Sequence, residues 1–559
     1  MPRTALRRST AVLVSAAVGL GLSLTAQATP QPPLNLRETV GASKITGTSA
    51  DPTEHVDPLI GTSNLGNVFP GAVSPFGMFS FSPETSRGNA YRTAAPGGYL
   101  YSANKIRGFS LTHMSGTGCA GGSGDIPIFP HVGDVTTSPQ SDAKDELYAS
   151  TFSHANEVAK AGYYKVGLDS GATAELSATP RTGSAAFTFP ADKAKSLLFR
   201  TSNSEVGSSD AQLSIDPKTR TVSGEVTSGN FCGYLASVGR RSYYTLHFVA
   251  QFDQPFKNTG TWTDGTVTPD STSSRGGTTY GADGWMAANK GSGGYVGFDS
   301  STVNMRIGIS YVSKANALAN LQAENPRGTS VTATAAKAKQ AWRKQLNRID
   351  ITGGSTEQRT TFYTALYHAL LHPNVFSDVN GQYWGFDQKV HRVSRGQKAQ
   401  YATFSGWDVY RSQVQLLALL EPDKAGDIAQ SLLNQADQNG GVWDRWTHAS
   451  GSTAVMTGDP AAPAVAGIYA FGGTNFDVRG ALKSLVKAAT VPTEKDLSSA
   501  GKPVMSIGQR PSLDKYLALH YIPTKSNAWG GAVETLEDVT ADFALAQLAQ
   551  RTGNKATYK

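Results

Sequence analysis

Residues 303–347 read VNMRIGISYVSKANALANLQAENPRGTSVTATAAKAKQAWRKQLN, and the spacing of their apolar side chains changes part-way along. Val303, Met305, Ile307, Ile309 and Tyr311 alternate with Asn, Arg, Gly and Ser, the period of a strand with one buried face. From about residue 315 the period lengthens to 3.6. Residues 331–347 carry Ala, Lys, Gln, Trp and Leu with no Gly or Pro, which predicts a helix. A β-rich region therefore gives way to an α-rich one here, through a linker helix.

Working outward, the stretch before this point repeats the strand pattern. Tyr244, Leu246, Phe248, Ala250 and Phe252 alternate in the same way, and short strands fit Tyr163 to Leu168, Thr173 to Thr179, Ala185 to Phe189 and Ser196 to Thr201. Gly, Pro, Asn, Asp and Ser clusters separate them, so residues 51–315 are expected to form an antiparallel β-sandwich. Residues 316–354 supply linker helices. Beyond them, helical patterns recur at about 356–371, 405–420, 423–437, 462–471, 476–489 and 531–551, interrupted by a hairpin with Asn380-Gly381 as a type I′ turn. Residues 355–559 are thus expected to be a mainly α domain of successive helix pairs, a toroid or solenoid.

The chain has 559 residues, 39% hydrophobic and 17% charged, which excludes a coiled coil or a disordered chain. A net charge of +7 and a pI near 9.1 raise the question of a nucleic-acid partner. Residues 1–28 weaken it: Arg3, Arg7 and Arg8, an apolar run from Ala11 to Thr25, and Ala26-Gln27-Ala28 form a signal peptide with a cleavage site. Without its three arginines the net charge falls to +4. Residues 29–50 are Pro/Thr/Ala-rich and read as a flexible leader, and no later stretch is apolar for the ~18–20 residues a bilayer requires. The expected product is secreted, without a membrane span or a nucleic-acid partner. Its two cysteines, Cys119 and Cys232, are either a disulfide or two separate buried thiols.

Gly116-Thr-Gly118-Cys-Ala-Gly121 has the form of a dinucleotide fingerprint, but Pro127 and Pro130 exclude the helix that must follow it. A loop whose backbone approaches another domain or a ligand is the alternative. His368 and His372 share a helix face as zinc ligands do, without the intervening glutamate of a metalloprotease; packing before Pro373 competes with a metal role. Trp407 beside Asp408 suits a sugar, the ring meeting C–H groups and the carboxylate accepting from hydroxyls, whereas helix capping is the structural alternative. Trp443, Asp444, Arg445 and Trp446 form a similar cluster. On the last helix, Ala532, Leu536, Val539, Phe543 and Ala546 mark an apolar stripe expected to be buried, with Glu534, Glu537 and Asp538 beside it. Glu537 falls at the margin of that stripe, where a half-sheltered carboxyl suits a general acid; a solvated helix charge is the alternative.

Several segments together resemble one family. Asp57-Pro-Leu-Ile-Gly-Thr62, Asn67-Val-Phe-Pro-Gly-Ala72 and Pro75-Phe-Gly-Met78 are similar to the N-terminal signature of glycoside hydrolase family 92, the exo-acting α-mannosidases. Gly108-Phe-Ser-Leu-Thr-His-Met-Ser-Gly-Thr-Gly118 resembles its second signature. Further matches are Phe362 to His368, Trp407-Asp-Val-Tyr-Arg411 and Thr535-Leu-Glu537.

The resemblance implies a β-sandwich, a linker helix and an (α/α)6 toroid, with the active site between the domains. It implies inverting, calcium-dependent hydrolysis of terminal α-mannose from glycans. Glu537 then matches the general acid, Asp408 and Trp407 the residues that hold the mannose, and Phe69 and Trp446 its walls. An inverting enzyme needs a second carboxyl roughly 6.5–9.5 Å from the first. The family motif that carries it, of the type Gly-x-Asp-x-Gly-x-Met-Ser-Ala-Trp-Tyr, does not occur here, and about seven helices fit 355–559 where a closed toroid needs twelve. The chain is accordingly expected to hold about the first half of the toroid, with most calcium ligands beyond residue 559. Asp538 stands where the family commonly has an aromatic residue. Two other functions fit the same residues: a carbohydrate-binding or cell-surface module without catalysis, and another sandwich-plus-toroid glycosidase or phosphorylase.

Overall fold

The structure is a computed structural model and describes residues 51–85, 95–118, 122–142, 144–232, 242–278, 289–453, 455–497, 500, 502, 507–526 and 530–558. The signal peptide, the leader and Cys119 lie outside the described residues. Among the described residues, two antiparallel sheets, of eight and ten strands, form the N-terminal half. The larger contains every strand expected from alternation except Ser196 to Thr201, whose counterpart Lys195–Phe199 lies in the smaller sheet. Register follows from the pleat. Phe248 lies opposite Ile309, Ala250 opposite Ile307 and Phe252 opposite Met305, so the alternating apolar residues of neighbouring strands share one face. That face meets the smaller sheet, where Phe199 stacks on Phe248 with ring centroids 5.9 Å apart. Cys232, within this region, is disulfide-bonded.

The last sandwich strand, Thr302–Ser310, leads directly into helix Lys314–Glu324, and helix Val331–Leu346 follows. Ser313 and Ser330 cap these helices by accepting from the amides of Asn316 and Ala333. The second helix lies against the larger sheet and carries Trp342, which is fully buried. Its indole Nε1 donates to the Val73 carbonyl at 2.7 Å, and its ring lies 4.3 Å from that of Tyr367 on the next helix, Thr356–Ala369. One side chain thus joins a sandwich segment, the linker and the helical half. The apolar core of the helical half includes Val56, Phe69, Val73 and Phe76 from the sandwich segment.

Four helices pack together in the C-terminal half. Ala461–Ala470 lies against Gln413–Leu420, Pro422–Gln438 and Gly531–Arg551. Its buried residues are Ala461, Ala462, Ala464, Val465, Ala466 and Ile468, mostly small side chains that let three neighbours approach one helix.

Three expectations about this half are corrected. The helical pattern at 405–420 is two helices, Gly406–Val409 and Gln413–Leu420, because side chains capture the carbonyls between them: Gln415 Nε2 donates to Tyr410 O and Arg411 Nε to Trp407 O. Asn380-Gly381 does form a turn, closed by Gly381 N donating to Asp378 O, but only Gly381 has positive φ, so the turn is not type I′; the hairpin proper pairs Gln382–Trp384 with Val390–Arg392. Finally, the apolar stripe of Gly531–Arg551 faces outward. Leu536 and Phe543 are 69% and 67% exposed, whereas Glu534 and Asp538 are wholly buried. Glu534 turns inward to accept from Gly458 N and Thr457 Oγ1, and Asp542, further along the helix, accepts from the Arg510 guanidinium; Asp538 is buried beside them.

Candidate active site

Trp407, Tyr410 and Arg411 are spaced i, i+3 and i+4 about the short helix Gly406–Val409, so their side chains lie on one side and reach one acceptor, the Glu537 carboxylate. Trp407 Nε1 and Arg411 Nη2 donate to Oε1 at 3.1 Å each, and Tyr410 OH donates to Oε2 at 3.1 Å. Arg411 lies over the Trp407 ring at 4.3 Å and the Tyr410 ring at 4.9 Å, so cation–π contacts hold the three donors as a unit. Burial, reinforced by the Glu537 charge, raises the Tyr410 phenol and keeps it protonated. The Glu537 side chain retains 18% exposure, enough for one side to meet a ligand.

Asp408 is exposed one residue from Trp407, oriented by a hydrogen bond from Ser405 Oγ. It occupies the first turn of a short helix, and no side chain caps that helix. Among the five site residues expected from sequence, Glu537 and Trp407 are in contact, and Asp408 follows Trp407 in the chain. Phe69 is 1% exposed and lines a small cavity with His113, His372 and His448, and Trp446 is 7% exposed and stacked on Phe231 at 4.4 Å. Neither presents an open ring face.

Sequence reasoning passed over the support behind Glu537. Gly458, at φ +74°, comes so close that a Cβ there would lie 2.6 Å from Glu537 Cβ. Its amide donates to Glu534 Oε1 at 3.1 Å, and Met456, two residues earlier, is held at φ +72°. A non-glycine residue in that region marks local strain of the kind that collects at functional sites. Only the glycine at 458 carried a sequence signal. Gly458→Ala should therefore displace Glu537 and lower kcat by about 10²-fold, the penalty for a misplaced reacting group; a kcat within twofold of wild type would contradict that contact.

The remaining motifs have structural roles. Trp443 is buried, with Nε1 donating to Ser484 Oγ at 3.0 Å, and Arg445 holds the carbonyls of Gly508 and Gln509. His372 Nε2 accepts from the Ser115 amide, and burial lowers both His368 and His372 to about 4, as suits neutral packed imidazoles. Of the glycine-rich loop, residues 119–121 lie outside the described residues. Gly122 approaches the other half closely, since a Cβ there would lie 3.3 Å from His448 Cε1. Among the described residues, no group of three or more His, Cys, Asp or Glu side chains could hold a metal.

The family model for the glycosyl hydrolase family 92 N-terminal domain matches residues 55–310, and that for the family 92 catalytic domain matches 316–559. The chain belongs to glycosyl hydrolase family 92. A family GH92 α-mannosidase of Bacteroides thetaiotaomicron, solved in complex with mannoimidazole, superposes with a TM-score of 0.78 at 26% identity, over 91% of this chain and 62% of its own. An inverting GH92 mannosidase of the same organism superposes at 0.77 with 23% identity, over 92% and 64%. An uncharacterized secreted glycosidase of Arthroderma benhamiae is 25% identical over 351 residues, 59% of this chain and 43% of that protein. The chain thus spans about three-fifths of the length of these solved relatives, and less than half of the fungal one.

Proposed function

We propose that this family 92 protein hydrolyses terminal α-linked mannose from glycans with inversion, Glu537 serving as general acid and Trp407 with Asp408 holding the sugar. The observation that carries the reading is the half-buried Glu537 carboxyl, held by Trp407, Tyr410 and Arg411 beside an exposed Asp408. The same mannose chemistry appears in the solved relative at 26% identity with bound mannoimidazole.

A general acid must carry its proton without losing its orientation. Oε1 can keep accepting from Trp407 and Arg411 while Oε2 is protonated, because the Tyr410 hydroxyl can rotate and accept in turn. Protonation of the leaving oxygen then needs no movement of the helix. No residue of this chain is assigned as the base that activates water. Calcium dependence comes from the family resemblance; the described side chains do not form a metal cluster, so no step is routed through the ion. Secretion rests on the signal-like residues 1–28 and on the name of the fungal relative. No helix among the described residues is long and apolar enough to cross a membrane.

The test is release of mannose from a terminal α-mannoside, with added calcium and with a chelator, followed by NMR of the first product anomer. Early β-mannose that disappears on chelation is the expected result. Neither release nor binding in the presence of calcium would refute the assignment. Binding without release, unchanged in Glu537→Gln, would instead identify a carbohydrate-binding module.

A further inference from the structure

Directly behind Glu537, the next residue on the helix has no role in the reaction described so far. Asp538 is fully buried, and neither of its carboxyl oxygens has a hydrogen-bond partner. The charged and titratable groups facing it come from several elements. Glu534 and Asp542 lie one turn to either side on its own helix, Asp459 precedes helix Ala461–Ala470, and Arg510 and Tyr516 come from the 507–519 segment. Two nitrogens of Arg510 are taken, Nε donating to Asp459 at 2.8 Å and Nη1 to Asp542 at 2.6 Å; the third, Nη2, is buried without a hydrogen-bond partner and so makes no bond to Asp538 either. Tyr516 donates to Asp542 at 2.8 Å.

Asp459, Asp538 and Asp542 thus lie around one guanidinium with Glu534 near Asp538, and of these four acids Asp459, Asp538 and Glu534 are buried. An unpartnered ionised carboxylate there would be far more costly than an unpartnered neutral carboxyl. Burial raises Asp538 well above the ordinary carboxyl range, against the pull of Arg510 and with the help of Glu534, Asp459 and Asp542. Glu534, the nearest acid along the helix, is what anchors Thr457 and the Gly458 amide, and Gly458 abuts Glu537.

We propose that Asp538 is a positioning residue that works only when protonated: its neutral carboxyl lets Glu534 hold the 456–458 loop behind Glu537, and its ionisation loosens that loop and the site with it. The activity arm of this inference rests on the proposed hydrolysis; the stability arm does not. A carboxyl raised in the folded state contributes stability that is complete below its unfolded value, near 3.8, and is lost as pH rises through the folded value.

The experiment compares wild type, Asp538→Asn and Asp542→Asn across pH 5 to 9, by thermal melting and by the pH–rate profile. Asparagine at 538 copies the neutral carboxyl and does not titrate. Its Tm should therefore decline less with rising pH than wild type's, and its alkaline rate limb should move up by one pH unit or more. Asparagine at 542 removes a repelling charge and frees part of Arg510, which makes Asp538 easier to ionise, so that limb should move to lower pH. Opposite shifts of the two variants support the proposal. Identical pH dependence of Tm in all three proteins overturns it, whether or not hydrolysis is observed. If Asp538→Asn does not fold, Asp542→Asn decides alone, and a limb that stays put or moves upward overturns the inference.

Discussion

Glutamine at position 537 is expected to lower mannose release by about 10²–10⁴-fold, the contribution of a positioned general acid, while α-mannoside binding changes little. The substitution keeps the shape and most of the contacts: the amide oxygen accepts from Trp407 and Arg411, and Tyr410 turns to accept from the amide nitrogen. What is lost is the proton. The loss should therefore depend on the leaving group. A dinitrophenyl mannoside, whose phenolate departs without protonation, should be affected far less than a mannose disaccharide. Equal losses on both substrates would point to a structural role for Glu537, and no loss on either would remove it from the mechanism. Steady-state rates on the two substrates, with calorimetric binding as control, are the measurements needed.

Alanine at Trp342 is expected to destabilise the fold by about 3–5 kcal/mol, the range for emptying a buried aromatic site. The ring is wholly buried and touches Tyr367, and its Nε1 satisfies the Val73 carbonyl. Three parts of the chain lose a common contact at once, so the hole has few ways to close. Phenylalanine at the same position keeps most of the ring and loses the hydrogen bond, which should cost about 1–3 kcal/mol for a carbonyl left unsatisfied. Denaturant unfolding of the two variants separates the cavity from the hydrogen bond. Equal destabilisation by alanine and phenylalanine would mean that the Val73 bond, not packing, is what Trp342 supplies.

The family resemblance pointed to Glu537, Trp407 and Asp408 through short continuous motifs; in the structure Trp407 donates to Glu537, and Asp408 is exposed next to Trp407 in the chain. The donors that complete the arrangement were partly in view. Arg411 and Tyr410 lie in the same motif as Trp407, at i+4 and i+3, so a helical reading of 405–420 already places all three on one face; that this face meets Glu537 was decided by the tertiary structure. Phe69 and Trp446 show the opposite case. Their aromatic character suits a sugar wall equally well on paper, yet Phe69 packs at 5.0 Å from His113 and Trp446 stacks on Phe231. An aromatic ring fits a core and a binding site equally, and only its neighbours distinguish them.

Alternation and its change of period near residue 315 determined by themselves that sheets precede helices, since a period of two and one of 3.6 are properties of the local backbone. The limits of Val331–Leu346 and Gly531–Arg551 were equally legible, set by good helix formers without an internal proline. Which way the last helix turns was decided only in three dimensions. Its apolar stripe marks a face that would ordinarily be buried, but the donors for Glu534 and Asp542 come from residues 457, 458 and 510, distant in sequence. Thr457, the Gly458 amide and Arg510 are donors on the inward side that Glu534 and Asp542 satisfy, and a buried donor left unpaired costs more than an exposed apolar side chain. The acids therefore face inward, Leu536 and Phe543 face out, and Glu537 stands at the boundary between them.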